Sequence, residues 1–149
     1  MDLSNDEELL KSCISLAVND SVIIGYVVNR VRQEGNFDPK VDKTPLITME
    51  IEMADSTFGL PTCKGNLRIS IINSTVKSEH KKISKLIGAR IKKLFDDIEG
   101  KDNINNEGEV KSYYPKIRMI ERQNGFFMPT EIDNITRYIQ NFQFIVGKQ

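Results

Sequence analysis

Apolar residues recur at helical spacing near the N-terminus and predict a first helix, which Asn5 or Asp6 can cap and Asn19 to Ser21 can end. Its apolar positions are Leu9, Leu10, Cys13, Ile14, Ala17 and Val18. The next segment, VIIGYVVNRV, is rich in β-branched residues and fits either a short strand or a second amphipathic turn. From Arg30 to Thr44 no periodicity persists, so a long loop is predicted there.

Alternation of apolar and polar residues predicts two strands that pair as a hairpin. The first, LITMEIEMADSTF, has a polar face of Thr48, Glu50 and Glu52. Its apolar face is formed by Ile47, Met49, Ile51 and Met53. After the break Gly59-Leu60-Pro61, the segment NLRISIINST repeats the pattern with Arg68 and Ser70 on its polar side. The apolar side of this second strand is formed by Leu67, Ile69 and Ile71.

The last third of the chain predicts two more strands, separated by the punctuating segment Gln123 to Pro129. In VKSYYPKIRMIER the apolar Ile117 and Met119 oppose the basic residues Lys116, Arg118 and Arg122. In RYIQNFQFIV one side of the strand is formed by Tyr138, Phe142, Phe144 and Val146. These two strands complete a set of four.

The longest predicted element is a helix that Ser78 can cap and that Gly100 can end. One apolar stripe runs down it, formed by Ile83, Leu86, Ile87, Ile91, Leu94, Phe95 and Ile98. The polar segment KDNINNEGE follows, so long loops are expected at about 30–44 and 100–112. We expect partner contacts in these loops, with plain disorder as the alternative, and ordering only upon assembly would reconcile the two.

The order helix, strand, strand, helix, strand, strand predicts a single α+β domain over residues 1–149. An antiparallel or mixed sheet of about four strands would pack against helices on one face. The other face would carry charges of both signs, which is usual for a solvated face, although in an oligomer it could form an interface or line a channel. These charges are Glu50, Glu52, Arg68, Lys116 and Arg118.

Composition narrows the classes of function. Twenty-one basic residues balance 21 acidic ones, so no net charge draws the whole chain to a nucleic acid or an anionic membrane. No apolar run approaches the roughly 20 residues that span a bilayer, and the acidic start MDLSNDEELL is the reverse of a signal peptide. We therefore expect an intracellular protein in which Cys13 and Cys63 are free thiols.

The sequence lacks the usual motifs of catalytic sites. No phosphate-binding loop, dinucleotide fingerprint or H-E-x-x-H motif is present. His80, the sole histidine, is expected on the exposed side of the long helix, with no nucleophile or carboxylate pair placed beside it by the sequence. We therefore expect no enzyme activity, no cofactor and no metal.

The predicted long helix carries cations in its first half and anions at its end, an order that opposes the helix dipole. No aromatic residue is interleaved on the basic side to stack on bases. We interpret the helix as a surface for another protein chain, with an ordinary solvated face as the simpler alternative. Its candidate interface residues are Lys81, Lys82, Lys85, Lys92, Asp96 and Asp97.

The order of elements, with its strand entry PLITMEIE, resembles the tail terminator, or tail-completion, proteins of long-tailed bacteriophages. Pro45, Leu46 and Ile47 match the strand entry, and Leu94 to Gly100 match an acidic helix end. The aromatic closing strand is matched by Tyr138, Phe142, Phe144 and Val146. The chain departs from the family pattern in its longer segment Gln123 to Asn134.

The resemblance implies a homohexameric ring in the neck of a virion, made in the host cytoplasm. Such a ring caps the tail tube protein, stops tube growth and joins the tube to the head-side connector or closure protein. DNA would pass through its lumen without sequence specificity. The alternatives are another neck protein, such as a head-closure or tail-tube-like ring, or a small nucleic-acid-binding accessory protein that uses the basic helix 79–93.

Overall fold

The computed structural model of the chain describes residues 3–53, 62–96 and 117–147, and these form three helices and one five-stranded sheet. The helices are α1 (Leu3–Val18), α2 (Ser21–Val27) and α3 (Ser78–Phe95). The strands are β1 (Val31–Gln33), β2 (Leu46–Met53), β3 (Thr62–Ser74), β4 (Ile117–Pro129) and β5 (Ile135–Gly147). The predicted α+β class is confirmed, with one more helix and one more strand than the sequence predicts.

The sheet is mixed and has the strand order β1-β2-β3-β5-β4. β1 and β2 run parallel, and the other neighbouring pairs are antiparallel. The predicted pairing of β2 with β3 is confirmed, with Met49 opposite Ile69. β4 and β5 form a second antiparallel pair, so β4 lies at one edge of the sheet and β1 at the other.

The core lies between one sheet face and the three helices. Phe95 at the end of α3 and Phe142 in β5 are fully buried, with ring centroids 6.1 Å apart. The alternation in β2, β3 and β5 faces the helices as predicted, because every second residue of a strand points to the same side. The remaining large buried side chains include Ile23, Ile47, Met49, Leu67, Ile69, Ile71, Ile87, Ile91 and Phe144.

The segment VIIGYVV, which left two interpretations open, forms helix α2. Asp20 caps it, since its carboxylate accepts the backbone N–H of Ile23 at 3.0 Å. Ile23 and Val27, one helical turn apart, are both fully buried. Capping and burial at this spacing override the β propensity of the individual residues.

The prediction of an irregular loop from Arg30 to Thr44 is wrong at its beginning, where β1 pairs with β2. Parallel neighbours need a connection of about a dozen residues to bring the chain back to the same end of the sheet. The segment 34–45 makes this return. Its turn is held by Arg32, whose guanidinium lies 2.9 Å from Asp42, and by the Asp38 N–H, which donates to Asp42 at 2.8 Å.

The predicted boundaries of the helices need correction. α1 begins at Leu3, ahead of Asn5 and Asp6. α3 ends at Phe95, so Ile98 and the predicted stop at Gly100 lie outside the described residues. Ser78 is the first helical residue of α3, not its cap, because Lys77 takes the cap position without a side-chain hydrogen bond.

The predicted stripe of α3 is also displaced around the helix axis. Leu86 is 46% exposed, whereas Ser84 and Gly88 are buried together with Ile87 and Ile91. The small residues sit where the helix comes closest to the sheet, so they belong to the buried face although they are not large apolar side chains. Hydrophobicity alone therefore predicts the wrong centre for this face.

The simple alternation predicted for β4 is wrong because the strand is irregular. Its register shifts between Ile117 and Met119 and again between Arg122 and Asn124, and each shift changes which residues point towards the helices. Ile120 opposite Phe144 is the residue buried in the core, and Arg122 pairs with Phe142 on that same side. The sequence places Arg122 on the polar side.

The sheet face opposite the helices is solvent-exposed at one end and buried at the other. Glu52 and Arg68 are exposed, but Thr48 and Ser70 on the same face are fully buried. The side chain of Glu34 crosses the covered end, where it accepts the Thr48 hydroxyl at 2.7 Å and pairs with Arg137 at 2.8 Å. The return segment after β1 thus closes half of a face that the sequence predicts to be solvated throughout.

Candidate assembly interface

A basic aromatic cluster lies where the first half of α3 meets the edge strand β4. We use this name for Lys81, Lys85, Arg122, Phe127 and Tyr138. The ammonium groups of Lys81 and Lys85 lie over the Phe127 ring, 5.1 Å and 5.9 Å from its centroid. The Tyr138 ring packs against the Phe127 ring at 4.8 Å, and the Arg122 guanidinium donates to the Tyr138 hydroxyl at 3.3 Å.

Two glycines make room for this cluster. A Cβ on Gly88 would lie 2.5 Å from Cε1 of Tyr138, so only glycine lets the ring pack directly on α3. A Cβ on Gly125 would collide with the Arg122 guanidinium, which therefore lies across the backbone of β4. Gln140 adds a hydrogen bond of 2.8 Å from its amide to the Gly88 carbonyl. The close packing fixes α3 over the outer strands of the sheet.

The lysines of the cluster keep their charge without a partner carboxylate. Among the described residues no carboxylate forms an ion pair with Lys81 or Lys85, and both are exposed. A cation–π contact orients an ammonium group but does not neutralise it. Within the described residues, the cluster therefore presents positive charge that no carboxylate pairs with along the β4 side of α3.

The charge order of α3 differs from the one that the sequence predicts. Because α3 ends at Phe95, Lys92 and Lys93 occupy its last turn and Glu79 its first, and both placements suit the helix dipole. Asp96 follows the helix, and its carboxylate accepts the backbone N–H of Arg122 at 2.9 Å. The charges at the end of α3 therefore do not oppose the helix dipole as predicted, whereas the lysines in its first turns, Lys81 and Lys82, do.

A polar cleft of about 290 Å³ opens on the wet half of the opposite sheet face. Glu50 lies directly across from Arg68 in the β2–β3 pairing, and Arg68 donates to the Asn141 side chain at 3.4 Å. Asn141 in turn donates to Asn124 at 2.8 Å. The cleft is lined by Glu50, Glu52, Asn66, Arg68, Gln123, Asn124 and Asn141. Its charges are mixed and its amides are numerous, so it holds no concentrated charge.

Exposed apolar side chains also occur around α2 and on β4. Val22 in α2 is 44% exposed, and Val28, the residue that caps the end of α2, is 59% exposed. Val28 also has φ 59°, a backbone conformation that is costly for a β-branched residue. On β4, Phe126 and Met128 are 45% and 48% exposed and share the face opposite the helices, because they are two residues apart in a strand.

The structure divides the sequence-predicted interface residues between two faces. Lys81, Lys82, Lys85, Lys92 and Asp96 belong to the helix side of the sheet. Glu50, Glu52 and Arg68 come together in the polar cleft on the other side. Asp97 and Lys116 lie outside the described residues, as does the loop 100–112, and the side chain of Arg118 is likewise not described. Phe127 and Tyr138 complete the basic cluster, and only the three-dimensional pairing of β4 and β5 brings them to α3.

The remaining candidate residues show structural roles. Cys13 is free and fully buried, and burial raises the pKa of its thiol to about 12, so it stays protonated. The side chain of Cys63 is not described. His80 is half-buried, contrary to the predicted exposed position, and its carbonyl accepts the Asn73 side chain at 3.1 Å. Among the described residues no group of three or more His, Cys, Asp or Glu side chains could hold a metal ion.

Within the described ranges, no single helix has the length and apolar character needed to cross a membrane. The helices Leu9–Val18 and Ser21–Val27, which are bent by 83° at their junction, meet the length and composition requirement only when they are taken together.

The fold has a counterpart among solved structures, although the sequence has none among known families. No protein-family model and no curated protein sequence matches the chain. A chain in the solved structure of the virion of a native gene transfer agent particle matches with a TM-score of 0.69 at 12% identity. The match covers 93% of this chain and 94% of that one. The two chains share one fold over nearly their whole lengths.

Proposed function

We propose that this chain is a structural protein of a phage-like virion, and specifically a tail terminator that forms a ring on the end of the tail tube. The observation that carries the proposal is the shared fold with a chain of a gene transfer agent virion, which leaves almost no part of either chain unmatched. The predicted resemblance to tail terminators rests on different observations, namely element order and local patterns in the sequence. The fold match and the resemblance agree on a virion protein.

The directions of the strands in the sheet are compatible with assembly into a ring. β1, β2 and β5 run one way, and β3 and β4 run the other. Copies repeated by rotation about an axis parallel to the strands bring β4 of one protomer beside β1 and β2 of the next in antiparallel orientation, which suits hydrogen bonding between edges. Such a contact joins two different surfaces head to tail, the type of interface that closes a ring.

Both edges of the sheet also leave backbone hydrogen-bonding groups without a described neighbour. β4 is 13 residues long, and among the described residues no strand pairs with its outer side. β1 covers β2 only at Ile47 to Met49, so the second half of β2 has no described neighbour on that side. Long uncovered edges invite pairing with another chain, and an oligomer satisfies that tendency in a controlled way.

A nucleic-acid-binding accessory protein is the second candidate, since the structure places Phe127 beside Lys81 and Lys85, where the sequence predicts no aromatic residue. The ring is half-buried, however, and its contacts with both ammonium groups and with Tyr138 occupy the surface on which a base would stack. The amide-rich cleft is lined by two carboxylates and one guanidinium, so it offers no phosphate site either. Protein assembly fits these contacts better.

Capping of tail tubes tests the proposed function. A tail tube protein from the same genome is polymerised in vitro, and the purified chain is added in increasing amounts while tube length is followed by electron microscopy. A terminator arrests elongation and appears as a disc at one tube end. Unchanged elongation at saturating amounts contradicts the terminator role. Tight duplex DNA binding that falls steeply with salt would instead support the accessory protein.

A further inference from the structure

We propose that the basic aromatic cluster of one protomer receives the acidic first turns of α1 from the neighbouring copy of the same chain. The inference rests on the proposed ring and names one of its contacts. Its occupant is a second copy, whose residues Asp6, Glu7 and Glu8 lie in the first turns of α1.

The order of the helices places α1 and α3 at opposite sides of one protomer. α1 packs on β1 and β2, α2 lies between α1 and α3, and α3 reaches β4 through the contacts of Lys81 and Lys85 with Phe127. The edge strands β1 and β4 mark the two ends of this layer. When sheets join edge to edge, α3 of one protomer therefore becomes the neighbour of α1 of the next on the same side of the sheet.

The lysines of the cluster face outward along that junction. The buried residues of α3 define the side that faces the sheet, and at about 100° per residue Lys81, Lys85 and Lys92 fall together on one flank. Phe127 identifies this flank as the β4 side. Arg90 lies on the opposite flank, where it pairs with Asp20 at the start of α2. The three lysines thus line the edge at which a neighbour would arrive.

Charge complementarity supports this occupant. The chain as a whole is neutral, so a basic edge implies an excess of acid elsewhere on the same chain. Asp2, Asp6, Glu7 and Glu8 place four of the 21 acids in the first eight positions, and no lysine or arginine is present before Lys11. Glu7 is exposed and forms no ion pair with the other described residues. Like charges on the two protomers would repel, so the opposite signs also fix which edges meet.

A charge-exchange experiment tests the contact, with assembly measured by sedimentation velocity over a range of protein concentrations. The variant K81E/K85E is expected to raise the concentration needed for ring assembly by about tenfold or more, and D6K/E7K/E8K is expected to do the same. An equimolar mixture of the two variants should restore assembly, because each altered surface then faces an altered partner of opposite sign. A six-membered ring can alternate the two variants without a mismatched contact.

A matched control is available on the same helix. Lys82 and Lys93 are exposed on the outward side of α3, away from the β4 flank. The variant K82E/K93E makes the same change in charge on the same helix and should assemble like the wild type. Thermal unfolding of every variant at low concentration identifies loss of fold, and restoration by mixing cannot arise from unfolded chains.

The outcomes separate this inference from the proposed function. Wild-type rings whose assembly is unchanged in K81E/K85E overturn the contact and leave the ring intact. Impaired assembly in both variants with no restoration on mixing also overturns it, because the two surfaces then do not meet each other. A wild-type chain that forms no ring under any condition, alone or on its tube, overturns the proposed function itself.

Discussion

The Arg90 guanidinium binds both carboxylate oxygens of Asp20, with a shortest distance of 2.6 Å across 70 positions of sequence. The same carboxylate caps α2 by accepting the Ile23 N–H. One buried acid therefore starts a helix and ties it to α3. The pair holds the start of α2 against α3 and so contributes to the order of the helix layer on which the proposed contact depends.

Replacement of Asp20 tests this connection. Asp20→Ala removes the cap and leaves Arg90 without its carboxylate, so we expect the free energy of unfolding to fall by about 1–3 kcal/mol. Asp20→Asn keeps a good capping group and loses only the charge, so its loss should be smaller. Urea unfolding measures both values, and equal losses would show that the ion pair adds nothing beyond the cap.

The pH dependence of stability follows from the same pair. The hydrogen bonds from Arg90 hold the pKa of the Asp20 carboxyl below its usual value. Its contribution to stability is therefore complete above the unfolded-state pKa of about 4 and is lost as the pH falls through the lower folded-state pKa. Urea unfolding measured across this acidic range should show a steeper loss for the wild type than for Asp20→Asn. Parallel curves would contradict the assignment.

The same substitution at two helical glycines should have opposite effects. Gly88→Ala places a Cβ against the Tyr138 ring, so we expect a loss of about 1–3 kcal/mol in the free energy of unfolding, despite the better helix propensity of alanine. Gly25→Ala meets no atom within 4 Å and should gain about 0.5–1 kcal/mol. Thermal or urea unfolding decides the sign, and a stabilised Gly88→Ala would mean that Tyr138 does not pack on α3 as described.

Val28 ends α2 with a positive φ that glycine adopts without cost. Val28→Gly should therefore raise the free energy of unfolding by about 1 kcal/mol, since an exposed valine contributes little burial in return. Val28→Ala is the control, because alanine keeps the unfavourable φ and should not stabilise. A destabilised glycine variant would show that the valine side chain makes a contact that outweighs the strain.

The apolar pair Phe126 and Met128 on β4 should matter to assembly more than to folding. Phe126→Ser with Met128→Ser is expected to lower the free energy of unfolding of the monomer by about 1–3 kcal/mol, because each side chain is still more than half buried, and to weaken oligomerisation under conditions in which the monomer stays folded. Val41→Ser with Val76→Ser removes two still more exposed apolar side chains from connecting segments and serves as the control. Equal assembly of the two double variants would remove β4 from the interface.

The sequence predicts the parts of this fold that follow a regular period. Met49, Ile69 and Phe142 are buried as the alternation of their strands indicates. β1 escapes prediction because three residues with an arginine in the middle carry no period, and their pairing with β2 depends on a distant segment. The irregularities of β4 escape it as well, since a register shift reverses the alternation without a local mark as clear as proline.

The candidate site is less visible in the sequence than the fold. Lys81 and Lys85 stand out as charges, but their relation to Phe127 arises from the strand order, which places β4 at the edge under α3. The extent of α3 is mispredicted because Asp96 leaves the helix to accept the N–H of Arg122, a tertiary hydrogen bond 26 positions away. Local patterns do not contain such contacts.

The oligomeric state of the purified chain tests the central claim most directly. Native mass spectrometry over rising protein concentration, with negative-stain imaging of the same samples, measures both the number of copies and their arrangement. The ring that we propose predicts one closed species with a fixed number of copies and an open centre, alone or with its tube protein present. A strict monomer at every concentration, with and without the tube protein, would contradict it.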